Sequence, residues 1–287
     1  MLTALESVPE PLSMNVTRQQ LHSLGLARLA AGIRTARKPA IRLTTGKRSA
    51  QAVNRFGGRP NLPKVIRWPD WMDGQPLSFI AQLDLATLPK IRDLPLPRSG
   101  SLFFFYDAEN QPWGFDPKDK GSAAVIYSPA ALAGNPLRAP HGDLDEAVRF
   151  KGVAVTAAQE MSLPSLRVLR DLHATSEEFD AYFKLADPLQ GPVHRIGGNA
   201  TEIQGDIFLE AQLVSNGLYC GNNRGYTLGR ERGLDRGAAD WRLLLQLDSE
   251  PTSGMYWGDS GRIFFLIRYD DSRCRRFDAV WVILQCT

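Results

Sequence analysis

Four histidines, three cysteines and 31 carboxylates are the residues of this 287-residue chain that could bind a metal, attack a substrate or move a proton. Their spacing argues against each use. A metal site needs several His, Cys, Asp or Glu side chains converging at short spacing. His22, His141, His173 and His194 lie far apart and form neither an HExxH motif nor an i, i+4 pair. Cys220, Cys274 and Cys286 are scattered, with no CxxC. A nucleophile needs an activating base, and nothing in the sequence ties Cys220 to the upstream His194. Cys220 reads instead as a small core filler. There is no GxSxG elbow and no GxxxxGKS loop. Gly221, Gly225, Gly229 and Gly233 recur every four residues, but no strand precedes them and no Lys-Ser follows, so they do not form a phosphate cradle. No catalytic residue, metal or cofactor is assigned, and a non-enzymatic protein is expected.

Two places keep polar or aromatic groups in suggestive positions. The turn Trp257-Gly-Asp259-Ser-Gly261 has an Asp between glycines, where a carboxylate can accept backbone N–H bonds and pin the turn. Gln82 and Gln246 stand at equivalent points of two similar segments. Their amides are read first as satisfying backbone groups at a sheet centre. The rival reading is a ligand-binding cleft between two halves, lined by Gln82, Gln246, Trp257 and Asp259. The second place is the polar loop from Asp107 to Gly121. Asp107, Glu109, Asp116 and Asp119 with Trp113 make it a candidate partner surface. The bland alternative is that Trp113 and Phe115 fold back onto the core.

The elements that must position these residues are short and apolar. Leu243–Leu247 and Ile263–Ile267 are two apolar runs separated by Pro251, Gly254, Gly258 and Gly261, which reads as two buried strands joined by a loop. An earlier copy exists. Phe79-Ile-Ala-Gln-Leu-Asp84 matches Leu243-Leu-Leu-Gln-Leu-Asp248, and Gly100-Ser-Leu-Phe-Phe104 matches Gly261-Arg-Ile-Phe-Phe265. The expected fold is α+β: a single compact domain with internal duplication, its mixed or antiparallel sheets flanked by helices. Residues 1–38 are expected to form an arm to residue 16 and a basic helix from the N-cap Thr17 to Lys38, ended by Pro39. Residues 39–287 form the domain, with halves at about 39–160 and 190–287. Further strands are predicted at Ala40–Leu43, Ala123–Tyr127, Ala147–Val155 and Ala279–Leu284. Helices are predicted over Ser162–His173 and Thr175–Asp187, the second opened by a Thr175/Glu178 capping box, and over Ile207–Val214. Gly221–Asp240, rich in Gly and Arg, is expected to be a mobile surface excursion.

Composition sets the compartment and the charge. Apolar residues make up 43% and charged residues 23% of the chain, as in ordinary globular proteins. The odd, scattered cysteines fit a reducing compartment. No secretory leader or membrane-spanning run is legible, so a cytoplasmic protein with no membrane partner is expected. Net charge is +3, yet residues 1–60 hold ten bases against two acids. This basic section reads as a solvated helix face, and direct nucleic-acid binding is not expected.

The motifs now in hand resemble those of the YwqG-like family, a bacterial domain of unknown function. The matching residues are Gly57-Gly58, Pro60, Leu62-Pro63, Trp68-Pro69, Phe79–Leu83, Gly100 with Phe105, His194-Arg195, Gly197-Gly198, Gln204, Trp241–Asp248, Trp257–Gly261, Trp281 and Gln285-Cys286, spanning roughly residues 40–287. The resemblance implies a duplicated α+β domain and no common reaction. Some members resemble immunity proteins of type VI secretion toxins. It therefore implies a protein that binds and neutralises a cognate secreted toxin, a nuclease such as a DNase, by direct contact. A small-molecule-binding protein or an uncharacterised enzyme using the inter-half cleft stays open beside it.

Overall fold

The computed structural model describes residues 16–142, 144–186 and 191–287. The expected arm up to residue 15, and Asp187 at the end of a predicted helix, lie outside the described residues. Twelve strands are present among them: β1 (Lys38–Arg48), β2 (Arg55–Phe56), β3 (Asp70–Trp71), β4 (Gln75–Pro76), β5 (Ser78–Asp84), β6 (Ser101–Tyr106), β7 (Ala123–Ser128), β8 (Val153–Ser162), β9 (His194–Gly197), β10 (Trp241–Asp248), β11 (Arg262–Arg268) and β12 (Trp281–Gln285). Strands β3 and β4 form a separate ribbon. The other ten make one antiparallel sheet in the order β12-β11-β10-β9-β1-β8-β2-β5-β6-β7.

The unbroken apolar runs of β6 and β11 follow from burial on both faces. In β6, Leu102, Phe104 and Tyr106 face a central core, while Phe103 and Phe105 face an outer cluster with Trp68 and Phe79. In β11, Ile263, Phe265 and Ile267 enter the same central core, and Phe264 and Leu266 pack under helices on the other side. The sheet curls until its distant strands meet. Phe104 of β6 and Phe265 of β11, far apart in strand order, touch edge to face at 5.2 Å between centroids. The Tyr127 ring of edge strand β7 lies 5.8 Å from that of Phe277, just before edge strand β12. The result is a barrel-like wrap around one interior.

The sheet has a pseudo-twofold centred on the pair Thr44–Thr156 of β1 and β8. On one side lie β9 to β12, on the other β2 and β5 to β7. Arg55 faces Gln82, and Arg195 faces Gln246. The register of β5 on β6 breaks between Phe79 and Ala81, and that of β10 on β11 breaks at the matching place, between Leu243 and Leu245. The leading strands are exchanged: β1 pairs with β9 of the later segment, and β8 pairs with β2 of the earlier one. Strand β8 therefore plays in the second set the part of β1 in the first, although the sequence reading grouped it with the first half. The strand predicted at Ala147–Val155 begins only at Val153, because Glu146–Val148 forms a 3-10 turn capped by Asp145.

The helices correct the sequence reading in three places. The single helix expected over residues 17–38 is two short ones, α1 (Arg18–Ser23) and α2 (Ala30–Ala36). Thr17 caps α1 in a capping box with Gln20, as its type suggests. Gly25 at φ +77° then stops it, with the Leu26 amide donating to the Leu21 carbonyl in a Schellman closure. Pro39 lies inside β1. Next come α3 (Leu166–Asp171), shorter than the predicted Ser162–His173 because Ser162 ends β8, and α4 (Ser176–Ala186), the latter with the Thr175/Glu178 box in place. Then α5 (Ile207–Val214) runs as predicted.

The expected excursion at 221–240 is instead α6 (Asn223–Glu231) and a 3-10 segment (Leu234–Asp240). Asn222 caps α6, and its buried glycines let it approach closely. A Cβ on Gly225 would strike the Tyr219 carbonyl, and one on Gly229 would strike Leu213 of α5. Two of the four recurring glycines, Gly225 and Gly229, thus make a packing stripe, while Gly233 takes a left-handed φ of +65° after the helix. A last short helix, α7 (Tyr269–Arg273), follows β11. No described helix is long and apolar enough to cross a membrane.

Candidate functional site

The two glutamines sit in matched stations. Gln82 Oε1 accepts the Asn61 amide at 2.8 Å, and its Nε2 donates to the Val53 carbonyl at 2.9 Å. Gln246 Oε1 accepts the Thr201 amide at 2.9 Å, and its Nε2 donates to the Val193 carbonyl at 2.8 Å. Both amides are spent on bridging the segments on either side of β2 and β9, the first of the two roles read from the sequence. Beside them stand two buried arginines that differ. Arg195 lies 2.9 Å from Glu160. Arg55 is fully buried and donates only to neutral oxygens: the carbonyls of Ala52 and Arg59, Asn61 Oδ1 and Gln82 Oε1. Burial without a counter-ion lowers its pKa to about 10.

Two clefts open at equivalent places. One lies beside Gly58 and Arg59, the other beside Gly197 to Asn199. Neither is lined by Gln82, Gln246, Trp257 or Asp259. Trp257 is wholly buried between Tyr106 and Phe150. Asp259 is exposed, and its carbonyl, rather than its carboxylate, takes the Thr287 hydroxyl. The structure therefore does not bring these four residues together.

The loop after β6 is organised by its own carboxylates. Asp107 is buried and accepts both the amide and the side-chain nitrogen of Asn110. Asp116 caps a 3-10 turn by accepting the Lys118 amide. Asp119 accepts the Gly114 amide at 2.9 Å, and burial raises its pKa against that hydrogen bond. Of the four loop acids, Glu109 alone is exposed.

What the loop presents is aromatic. It crosses to the far edge of the sheet, where the Leu284 amide donates to the Trp113 carbonyl and Trp281 Nε1 donates to the Gly114 carbonyl. That contact covers the edge strand and fixes Trp113 at 38% exposure. The Trp113 ring neighbours Phe115, whose ring meets that of Tyr219 edge to face at 5.6 Å. Gln111 binds the other flank, donating to the Tyr256 carbonyl and accepting the Gly258 amide. Tyr219 and Tyr256 are 44% and 55% exposed. Trp113, Tyr219 and Tyr256, exposed side chains of three segments linked by the Phe115 ring and by Gln111, make up an aromatic ridge; Glu109 and Asp259, also exposed, lie two residues from Gln111 and three from Tyr256 along the chain. The sequence reading found Trp113 and missed both tyrosines. Each lies two residues from a turn glycine, Gly217 or Gly258, without the run of acids that marked the Trp113 loop.

Residues 54–286 match the family described as Domain of unknown function (DUF1963), and the chain belongs to that family. No curated protein matches the chain.

Proposed function

We propose, from the resemblance of its motifs to the YwqG-like family, that the chain is an immunity protein, one that neutralises a cognate secreted toxin by direct contact. The observation that carries the reading is the aromatic ridge of Trp113, Tyr219 and Tyr256. Partly exposed Trp and Tyr side chains on a rigid support are the usual energetic centre of a protein interface. The ridge is held because its loop is tied to β12 by a backbone hydrogen bond and to the Tyr256–Gly258 turn by the Gln111 side chain. Glu109 and Asp259 give its border a negative character that suits the basic surface of a nuclease. Of the four acids read from the sequence as a partner surface, Glu109 is left to face a partner, since Asp107, Asp116 and Asp119 serve the loop.

The test is co-expression with the toxin encoded beside this chain's gene, followed by size-exclusion chromatography. A stoichiometric complex burying roughly 1,200–2,000 Å² is expected, and Trp113→Ala with Tyr256→Ala should dissolve it. Separate elution of the wild-type proteins at micromolar concentration would end the reading.

A further inference from the structure

The cleft beside Gly58 has a volume of about 900 Å³, within the range of sites for small organic ligands. Its chemistry is divided. The exposed rim carries Arg48, Arg59, Arg149 and Lys151. The floor is Trp68, Phe79 and Phe150, all buried, with Leu144 beside them. Among the described residues lining it there is no carboxylate. Behind the rim lies the buried Arg55, which holds the Arg59 carbonyl and has no counter-ion among the described residues. Charges of one sign around a low-dielectric floor focus a positive field into the opening.

The equivalent cleft in the other half shows that this field is not imposed by the fold. That cleft, of about 420 Å³, mixes Lys38, Arg167, Arg236 and Arg242 with Asp93, Asp206 and Asp235. Arg167 and Asp206 pair with each other, and the nearby Arg195 is neutralised by Glu160. Glu160 lies across from Ala40 on the neighbouring strand. The matching place, across from Gly152, holds Ser49, whose amide donates to the Gly152 carbonyl. Among the described residues, one cleft mixes both signs of charge and the other carries four cations on its rim, with the buried Arg55 behind them.

We propose that the cleft beside Gly58 binds a small organic anion with a ring-bearing apolar body. Its phosphate or carboxylate would sit on the arginine rim, and its body would lie against Trp68, Phe79 and Phe150. A bare inorganic anion would leave the aromatic floor unused, and a neutral apolar molecule would leave the cations unanswered.

Isothermal titration of the full chain with 1-naphthyl phosphate tests this, with inorganic phosphate and 1-naphthol as separate arms. One molecule should bind per chain, with a Kd on the order of 10–100 µM from typical per-atom ligand efficiencies. Both partial probes should bind at least about 10-fold more weakly, and Arg59→Gln and Arg149→Gln should each weaken 1-naphthyl phosphate by about 10-fold. Both substituted side chains are exposed, so the fold is kept. Arg236→Gln, in the other cleft, should bind as the unaltered chain does. Absence of binding up to about 1 mM, equal binding of 1-naphthol, two sites per chain, or indifference to both rim substitutions would each overturn the proposal.

Discussion

His194 and Glu250 form a buried pair in which the direction of the hydrogen bond is fixed by a third group. The Asp248 amide donates to His194 Nδ1, so the ring proton resides on Nε2, 3.2 Å from Glu250 Oε2. Glu250 also accepts the Thr45 hydroxyl, which brings β1 into the arrangement, and the Thr252 amide. The carboxylate is therefore held by donors from three separate chain segments.

This pair predicts acid sensitivity. Burial alone would raise the Glu250 pKa, but the hydrogen bonds from His194 and Thr252 prevail and hold it at about 2, against 4.5 for a free glutamate. A carboxylate with a depressed folded pKa stabilises fully above its unfolded value, and that contribution is lost as pH falls from 4.5 toward 2. Glu250→Gln should lose on the order of 2 kcal/mol at pH 7 and flatten the dependence on acid. Urea unfolding at a series of pH values measures both.

Glu210 predicts the opposite slope. On α5, burial pushes its carboxyl up to about 7, against the hydrogen bond from the Tyr226 hydroxyl. Its protonated form suits the fold, so its contribution is complete below about 4.5 and declines as pH rises through 7. Glu210→Gln should raise stability at pH 8 by about 1–3 kcal/mol and leave it unchanged at pH 4. An equal effect at both pH values would contradict the assignment.

At the ridge, energy for folding and energy for binding should separate. Trp113→Ala removes a half-exposed ring, and its effect on thermal stability should be within about 1 kcal/mol. If the ring anchors a partner, affinity for that partner should fall by roughly 2 kcal/mol or more, about 30-fold.

Gly114→Ala should do both kinds of damage. Gly114 has φ +83°, and a Cβ there would collide with the Val282 carbonyl of β12. A cost of about 2 kcal/mol or more is expected, with loss of partner binding because the neighbouring Trp113 carbonyl shares that edge contact. A melting temperature equal to that of the unaltered chain would show that the loop can leave β12 freely.

Much of the scaffold was legible. The paired QLD segments and the Gly-x-x-Phe-Phe runs placed β5, β6, β10 and β11 and their equivalence, because residues buried on two faces leave an unbroken apolar signal. The exchange of β1 and β8 left no such trace, since each strand reads alike whichever partner it takes. Gly25 carried the helix break and Gly225 and Gly229 the α6 packing stripe. Both signals were present as spacing, and both were misread because a glycine's role depends on the backbone lying opposite it. The ridge was a third visible, because Tyr219 and Tyr256 join Trp113 only through tertiary contact. The basic cleft drew its cations from three separated segments and had no linear signature.

The traded central strands also govern how the chain can reach this state. Arg42 meets Arg195, and Arg55 meets Ala154, across about 150 and 100 residues of intervening sequence, so the middle of the sheet closes only after its flanks have been made. Folding should be slow for the size of the protein and should end in one cooperative step, with a partly built sheet exposing two unpaired inner edges until that moment. A chain arrested there would offer each edge to another copy of itself, which makes entanglement between molecules the characteristic failure to expect at high concentration.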